Sequence, residues 1–197
     1  MTLSAPLVLA SASPRRKHLL VAMGLNPLVQ PADIDESELE GESPADMVKR
    51  LALAKSQAVA PQYPDALVLG SDTIVVLDDT VLGKPATSAD AANMLRRLSG
   101  RTHRVMTSIA LVHASSGRST VDIEVTEVTF DDLTDPQIDR YVEGGSPMDK
   151  AGAYGIQDDQ GAFFVRRIDG DYYTVMGLPL NRLSRVARTH FPDLVSD

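Results

Sequence analysis

The stretch Ser11-Ala12-Ser13-Pro14-Arg15-Arg16 puts two arginines into the first turn of a helix that Ser13 is suited to cap and Pro14 to open. Free N–H groups and the macrodipole at a helix start favour an anion, so cations there run against the local field. A phosphate docked on the small-residue turn would remove the conflict; the alternative is a pair of solvated surface arginines. Lys55 is a second anomaly. At about 100° per residue, Ala54, Met47, Ala58, Leu51, Val48, Val59 and Ala52 form one apolar arc with Lys55 in its middle, while Lys49 and Arg50 fall on the polar side. Such a lysine must snorkel to solvent or meet an anion in a cleft, and the cleft is favoured because buried lysines are rare without a partner. On that reading Lys55→Met is neutral or stabilising in the free protein, since a buried charge disappears. Asp72 is a third. It follows the apolar run 66–70, and ligands of open α/β sheets gather beyond strand carboxyl ends. A carboxylate there could bind a metal or accept a proton from water; the alternative is a turn-forming aspartate.

Other positions carry weaker signals. Lys84, in Leu82-Gly83-Lys84-Pro85, lacks the frame of a phosphate-binding P-loop and no helix starts directly after it. Asp33-Ile34-Asp35-Glu36 could supply a metal ligand, although acidic runs are more often solvated loops. The four histidines, His18, His103, His113 and His190, have no metal-ligand spacing and read as structural or surface residues. No nucleophile-elbow sequence is present, and without cysteine there is no disulfide, zinc–thiolate site or thiol nucleophile.

The elements that must hold these residues belong to an ordinary globular chain of 197 residues, 43% hydrophobic and 23% charged. A net charge of −8 argues against a nucleic-acid polymer as partner and leaves a small polyanion met by a local cation cluster. No apolar run is long enough to span a bilayer. Residues 5–12 loosely resemble a secretory leader, but Arg15, Arg16 and Lys17 follow the apolar run instead of preceding it, so cytoplasmic residence is expected. The pattern predicts a strand over 6–10, a helix from Pro14 to Gly24, and a helix from Ser43 to about Ala60. Further on come strands near 66–70 and 74–77 with a turn at Asp78-Asp79, and a helix capped by Ser88 that ends at Gly100. A hairpin over about 103–113 and 119–129 precedes a helix that Thr134 caps. A second hairpin, 163–168 with 172–175 around Asp169-Gly170, and a helix over 179–189 complete the chain. The fold class is α/β with a mixed sheet, one domain over 1–197.

The stretches LVLASASPRRKHLL (7–20), DIDES (33–37), LALAKSQAVA (51–60), GSDTIV (70–75), LGKP (82–85), LSGRTHRVMT (98–107), DKAGAYGIQ (149–157) and GDYYTVMGLPL (170–180) together resemble the Maf family of nucleotide pyrophosphatases, in order and over nearly the whole chain. The resemblance implies an elongated, twisted mixed sheet flanked by helices, in two lobes around a central cleft, related to the inosine-triphosphate pyrophosphatases. It implies hydrolysis of dTTP, UTP and modified pyrimidine nucleotides to monophosphate and pyrophosphate, a house-cleaning of nucleotide pools with a divalent metal, magnesium or manganese. Asp72 matches the catalytic base and, with Glu36, the metal site. Ser11, Arg16, Lys55 and Lys84 match phosphate-site positions, and Arg15, Thr73 and Gln157 match positions tied to base specificity. The expected partner is a small nucleotide, with no nucleic-acid polymer and no membrane; a homodimer is compatible with the sequence. The chain departs from the family pattern where Ser71 replaces a usual Ala, Gly145-Ser146 a usual Gly-Glu, and Thr174 a usual Asn. The rival reading is a nucleotide-sensing regulator of septum formation that acts through a protein partner.

Overall fold

The computed structural model describes residues 1–157 and 160–196. In chain order the elements are β1 (Thr2–Leu3), β2 (Leu7–Leu9), α1 (Pro14–Ala22), β3 (Leu28–Val29), α2 (Pro44–Val59), β4 (Leu67–Leu77), β5 (Thr80–Leu82) and α3 (Ser88–Leu98). They continue with β6 (Thr102–His113), β7 (Arg118–Phe130), α4 (Asp135–Glu143), β8 (Val165–Asp169), α5 (Tyr172–Met176), α6 (Leu180–His190) and β9 (Val195–Ser196). The larger sheet runs β3-β2-β4-β6-β7-β8, with β5 on β4, and β1 pairs separately with β9. Parallel β2–β3 and β2–β4 ladders coexist with antiparallel β4–β5 and β7–β8 ladders, so the sheet is mixed, as expected. No helix among the described residues is long and apolar enough to cross a membrane.

Local chemistry explains most of the boundaries. Ser13 accepts the Arg16 N–H and Pro14 opens α1, while Gly24 takes φ 80° just beyond its end. Ser43 caps α2 by accepting from the Asp46 N–H. For α3 the cap is Thr87 and not Ser88, because Thr87 and Asp90 form a reciprocal capping box. Asp78 and Asp79 take φ 49° and 63°, the left-handed pair a tight β4–β5 turn requires. The expected 163–175 hairpin does not form. Residues 161–164 make a 3-10 turn, β8 pairs with β7, and Tyr172–Met176 is helical. Asp171 decides this: its Oδ2 accepts from the Thr174 N–H at 2.6 Å and hydroxyl at 2.8 Å, capping a helical turn where a strand was expected. Thr174, one of the departures from the family pattern, is thereby held locally and fully buried.

The chain divides into two compact units, 1–72 with 107–124 and 177–197, and 73–106 with 125–176. The first has a core cluster around Val8, Ala10, Val59, Val68 and Val112. The second buries Val75, Leu95, Leu98, Val128, Phe130, Tyr141, Tyr154 and Phe164 together. There Phe130 stacks edge-on against His103 at 5.0 Å and Tyr154 at 4.7 Å, and Tyr141 against Phe164 at 5.0 Å.

His103 is 2% exposed, its Nε2 lies 2.8 Å from the Tyr154 hydroxyl, and burial pulls its pKa down to about 4. An unfolded histidine titrates near 6.5, so between these values the unfolded chain binds the extra proton and is favoured. Stability from this group is therefore complete above about pH 6.5 and lost as the pH falls towards 4, by up to about 3 kcal/mol. Urea unfolding of the wild type and His103→Phe at pH 7 and pH 5 reads it. The wild type loses ground relative to the variant at pH 5; a constant difference would leave His103 without this role.

Candidate active site

Helix α2 carries Lys55 to the first unit's sheet because of a single hydrogen atom. A Cβ on Gly70 would collide with the Ala52 carbonyl and stand 2.9 Å from the Ser56 amide nitrogen, so α2 seats directly on the β4 backbone. The buried side of α2 is Met47, Val48, Leu51, Ala52, Lys55, Ser56 and Val59. Lys55 does sit among buried residues, although Ser56 takes part in place of Ala58, which is exposed. Ser56 satisfies its hydroxyl on the Leu53 carbonyl at 2.9 Å.

Two residues after Gly70, on the same face of the strand, Asp72 meets this lysine. Lys55 Nζ donates to Asp72 Oδ1 at 2.6 Å and lies 2.8 Å from Glu36 Oε1. Asp72 is therefore neither beyond a strand end nor in a turn. The two extended pieces expected at 66–70 and 74–77 belong to one strand, Leu67–Leu77, and Asp72 is inside it. The Lys55 and Asp72 side chains are 9% and 11% exposed, whereas Glu36 is 54% exposed.

The α1 start belongs to the same unit. Arg16 is buried; its Nε donates to the Gly177 carbonyl at 2.8 Å and its Nη1 to Ser11 Oγ at 3.0 Å. Ser11 Oγ also accepts the Ser13 N–H at 3.2 Å, which engages both lone pairs and leaves the hydroxyl able to donate. Burial lowers the Arg16 pKa from its ordinary value, while the charge of Asp72 opposes that shift. The solvated-arginine alternative is thus excluded for Arg16. Arg15 is half-buried in the same turn. Ser71, where the family has Ala, donates its hydroxyl to the Gly177 carbonyl at 3.3 Å. The Gly177 carbonyl, at a residue with φ 104°, is a participant that residue types did not reveal, since a backbone oxygen leaves no mark in a sequence.

The first unit thus gathers Ser11, Arg16, Glu36, Lys55 and Asp72. Thr73, Lys84 and Gln157 belong to the second, where Thr73 and Gln157 are half-buried and Lys84 is exposed. The Gly152 N–H donates to the Gly83 carbonyl at 3.1 Å, which joins the segment bearing Lys84 to the one that leads to Gln157. Gly152 lies at φ 68°, and a Cβ there would press within 2.9 Å of Val75.

Among the described residues no three His, Cys, Asp or Glu side chains are grouped as a metal cage. Asp72 and Glu36 nevertheless converge on one cation, the Lys55 ammonium. Two carboxylates with remaining positions left to water and phosphate is how magnesium is commonly held, so the donor set fits such an ion.

A family described as "Maf-like protein" matches residues 6–190. A dTTP/UTP pyrophosphatase from Salinibacter ruber is 48% identical over 99% of this chain and 96% of its own length. Those of Symbiobacterium thermophilum and Moorella thermoacetica are 53% and 56% identical, covering 89% and 88% of this chain and 89% of each relative. Among solved structures, a HAM1 protein from Coxiella burnetii aligns with a TM-score of 0.52 over 94% of this chain and 99% of that one. At 18% identity that likeness bears on fold alone, and it agrees with the fold expected from the sequence.

The pairing changes the expectation for Lys55→Met. Removing the lysine strands a buried Asp72 carboxylate, which costs about 3 kcal/mol, and adding Asp72→Asn recovers most of it. Urea midpoints of the two single variants and the double variant check this. A Lys55→Met protein as stable as wild type would mean that the ion pair contributes nothing to folding.

Proposed function

Since the chain belongs to the Maf-like protein family, we propose that it is a nucleoside-triphosphate pyrophosphatase, hydrolysing dTTP and UTP to the monophosphate and pyrophosphate. The observation that carries the reading is Lys55, a buried ammonium in contact with Asp72 and Glu36, in one unit with the Ser11–Arg16 helix start. A carboxylate beside a phosphate-binding cation cluster suits hydrolysis; a nucleotide sensor has no need of it. No observation favours the regulator of septum formation.

In the proposed reaction a water attacks the α-phosphorus in line with the bridging oxygen to the β-phosphate. That P–O bond breaks, and pyrophosphate leaves with its electron pair. Asp72 accepts the water's proton. Lys55 already holds its Oδ1, so Oδ2 is the oxygen assigned to the water. Lys55, Arg16 and Lys84 neutralise phosphate charge, and the Ser11 hydroxyl and α1 amides donate to phosphate oxygens. A divalent ion, magnesium or manganese, held by Asp72 and Glu36, would add charge neutralisation at the same phosphates. Gln157, with Arg15 and Thr73, is assigned to base choice: a side-chain amide can answer the carbonyl and N–H edge that uracil and thymine share. We place the reaction in the cytoplasm, on pools of canonical and modified pyrimidine nucleotides.

The purified protein is expected to release pyrophosphate from dTTP and UTP, ahead of CTP, and to stop in EDTA. Asp72→Asn lowers kcat at least ~100-fold while the protein stays folded. Diphosphate and orthophosphate as products would refute the cleavage position, and near-normal turnover by Asp72→Asn would refute the base. For base choice, Gln157→Ala should bring kcat/KM for UTP and CTP closer together; an unchanged ratio assigns the base contact elsewhere.

A further inference from the structure

Glu36 reaches Lys55 from a segment with no secondary structure of its own. Residues 30–43 form neither helix nor strand, and the Glu36 side chain is 54% exposed, so neither a backbone ladder nor burial sets its position. The contacts on either side of it do. Asp35 Oδ1 accepts the Ser37 N–H at 2.9 Å and the Ser37 hydroxyl at 2.6 Å, closing a tight turn across Glu36. Arg50 then ties that turn to α2: its Nη2 donates to the Ser37 carbonyl at 3.0 Å. Its Nε and Nη2 also donate to Glu42 Oε1 at 2.6 Å and Oε2 at 2.7 Å. One guanidinium thus grips the backbone one residue after Glu36 and a carboxylate six residues after it. Only arginine has a fork that serves a carboxylate with two donors and a carbonyl as well. Arg50 stands on the same helix as Lys55, five residues earlier, so the body that supplies the ammonium also supplies the anchor of the loop opposite it.

We propose that Arg50 is a positioning residue, which with Glu42 and Ser37 locks the 35–42 loop so that Glu36 is held against Lys55 and Asp72. This rests on the pyrophosphatase reading. The Arg50 and Glu42 side chains are 29% and 10% exposed, so their two-pronged pair adds some stability, but no residue of 35–42 belongs to the buried core, and the larger consequence lies in geometry. A displacement of about 1 Å at a reacting centre can cost up to ~100-fold in rate.

The experiment is a double-mutant cycle on the full chain, reading pyrophosphate release from UTP, with amide hydrogen exchange measured in parallel. Arg50→Ala lowers kcat/KM about 10- to 100-fold and shifts Tm by less than about 4 °C. Added to Glu36→Gln, it lowers activity no further than about 2-fold, because its target is already gone. Glu42→Gln, a gentler change, behaves the same way in the cycle and serves if Arg50→Ala folds poorly. Exchange of the Ser37 amide rises about 10-fold or more in Arg50→Ala, while amides in the middle of α2 are unchanged. Wild-type activity in Arg50→Ala, losses that multiply with Glu36→Gln, or unaltered Ser37 exchange would each overturn the proposal. A wild type that releases no pyrophosphate defeats the functional reading instead, and the Ser37 exchange still decides whether Arg50 fixes the loop.

Discussion

An ammonium and a carboxylate 2.6 Å apart, both nearly shut off from water, make the demand that the first unit is built to meet. Desolvating either charge alone costs several kcal/mol, and the pair repays this only with close geometry and further polar partners. Helix α2 must therefore approach β4 at backbone distance, which Gly70 permits, and Lys55 must arrive level with Asp72. Glu36 gives the ammonium a second anion from the solvent side. The charge of Asp72 also favours the charged state of Arg16, against the burial that lowers the Arg16 pKa. Buried cations and a buried anion thus support one another, and each would be costly without the rest.

The graded exposure of these groups has chemical meaning. Asp72, Lys55 and Arg16 are fixed by burial and by their polar partners. Glu36, with a side chain 54% exposed, owes its place to the contacts of Asp35, Ser37 and Arg50 around it. Burial thus fixes the inner groups, while hydrogen bonds along the loop fix the exposed one.

The second unit applies different means to a similar task. Its 151–157 segment has little regular structure beyond one 3-10 turn, yet it is fixed residue by residue. Gly152 turns at φ 68° against Val75, and Ala153 follows at φ 62°, unusual for a residue with a Cβ. The Tyr154 hydroxyl engages His103, and the Gly155 N–H donates to the Tyr141 hydroxyl at 3.1 Å. Gly161 lies so close to the Gly155 carbonyl that no side chain fits between them. Glycine-dependent backbone held by a buried aromatic cluster thus fixes the course of the chain up to Gln157.

Much of this was open to reading in the amino-acid order because it depends on near neighbours. Ser13-Pro14 and Ser43-Pro44 state helix starts, Asp78-Asp79 a turn, and the interruption of an apolar arc by Lys55 announces a buried charge in need of a partner. The resemblance across the chain supplied family and fold class. Where a partner lies far away in sequence, order alone was silent or misleading. Asp72 read as lying just beyond the end of the 66–70 run, yet β4, which lies beside β6 in the sheet, continues straight through it. Residues 172–175 read as a strand because Asp169-Gly170 signals a hairpin turn, but β8 had its partner in β7 and Asp171 capped a helix. Arg50 read as one more solvent-facing charge on the polar side of α2, since its contact with Ser37 spans 13 positions. The Gly177 carbonyl, 161 positions from Arg16, carries no side chain for a sequence to display. Side-chain type and short-range spacing determine which groups are anomalous; only the folded backbone decides which anomalies meet, because that depends on distances that order along the chain does not encode.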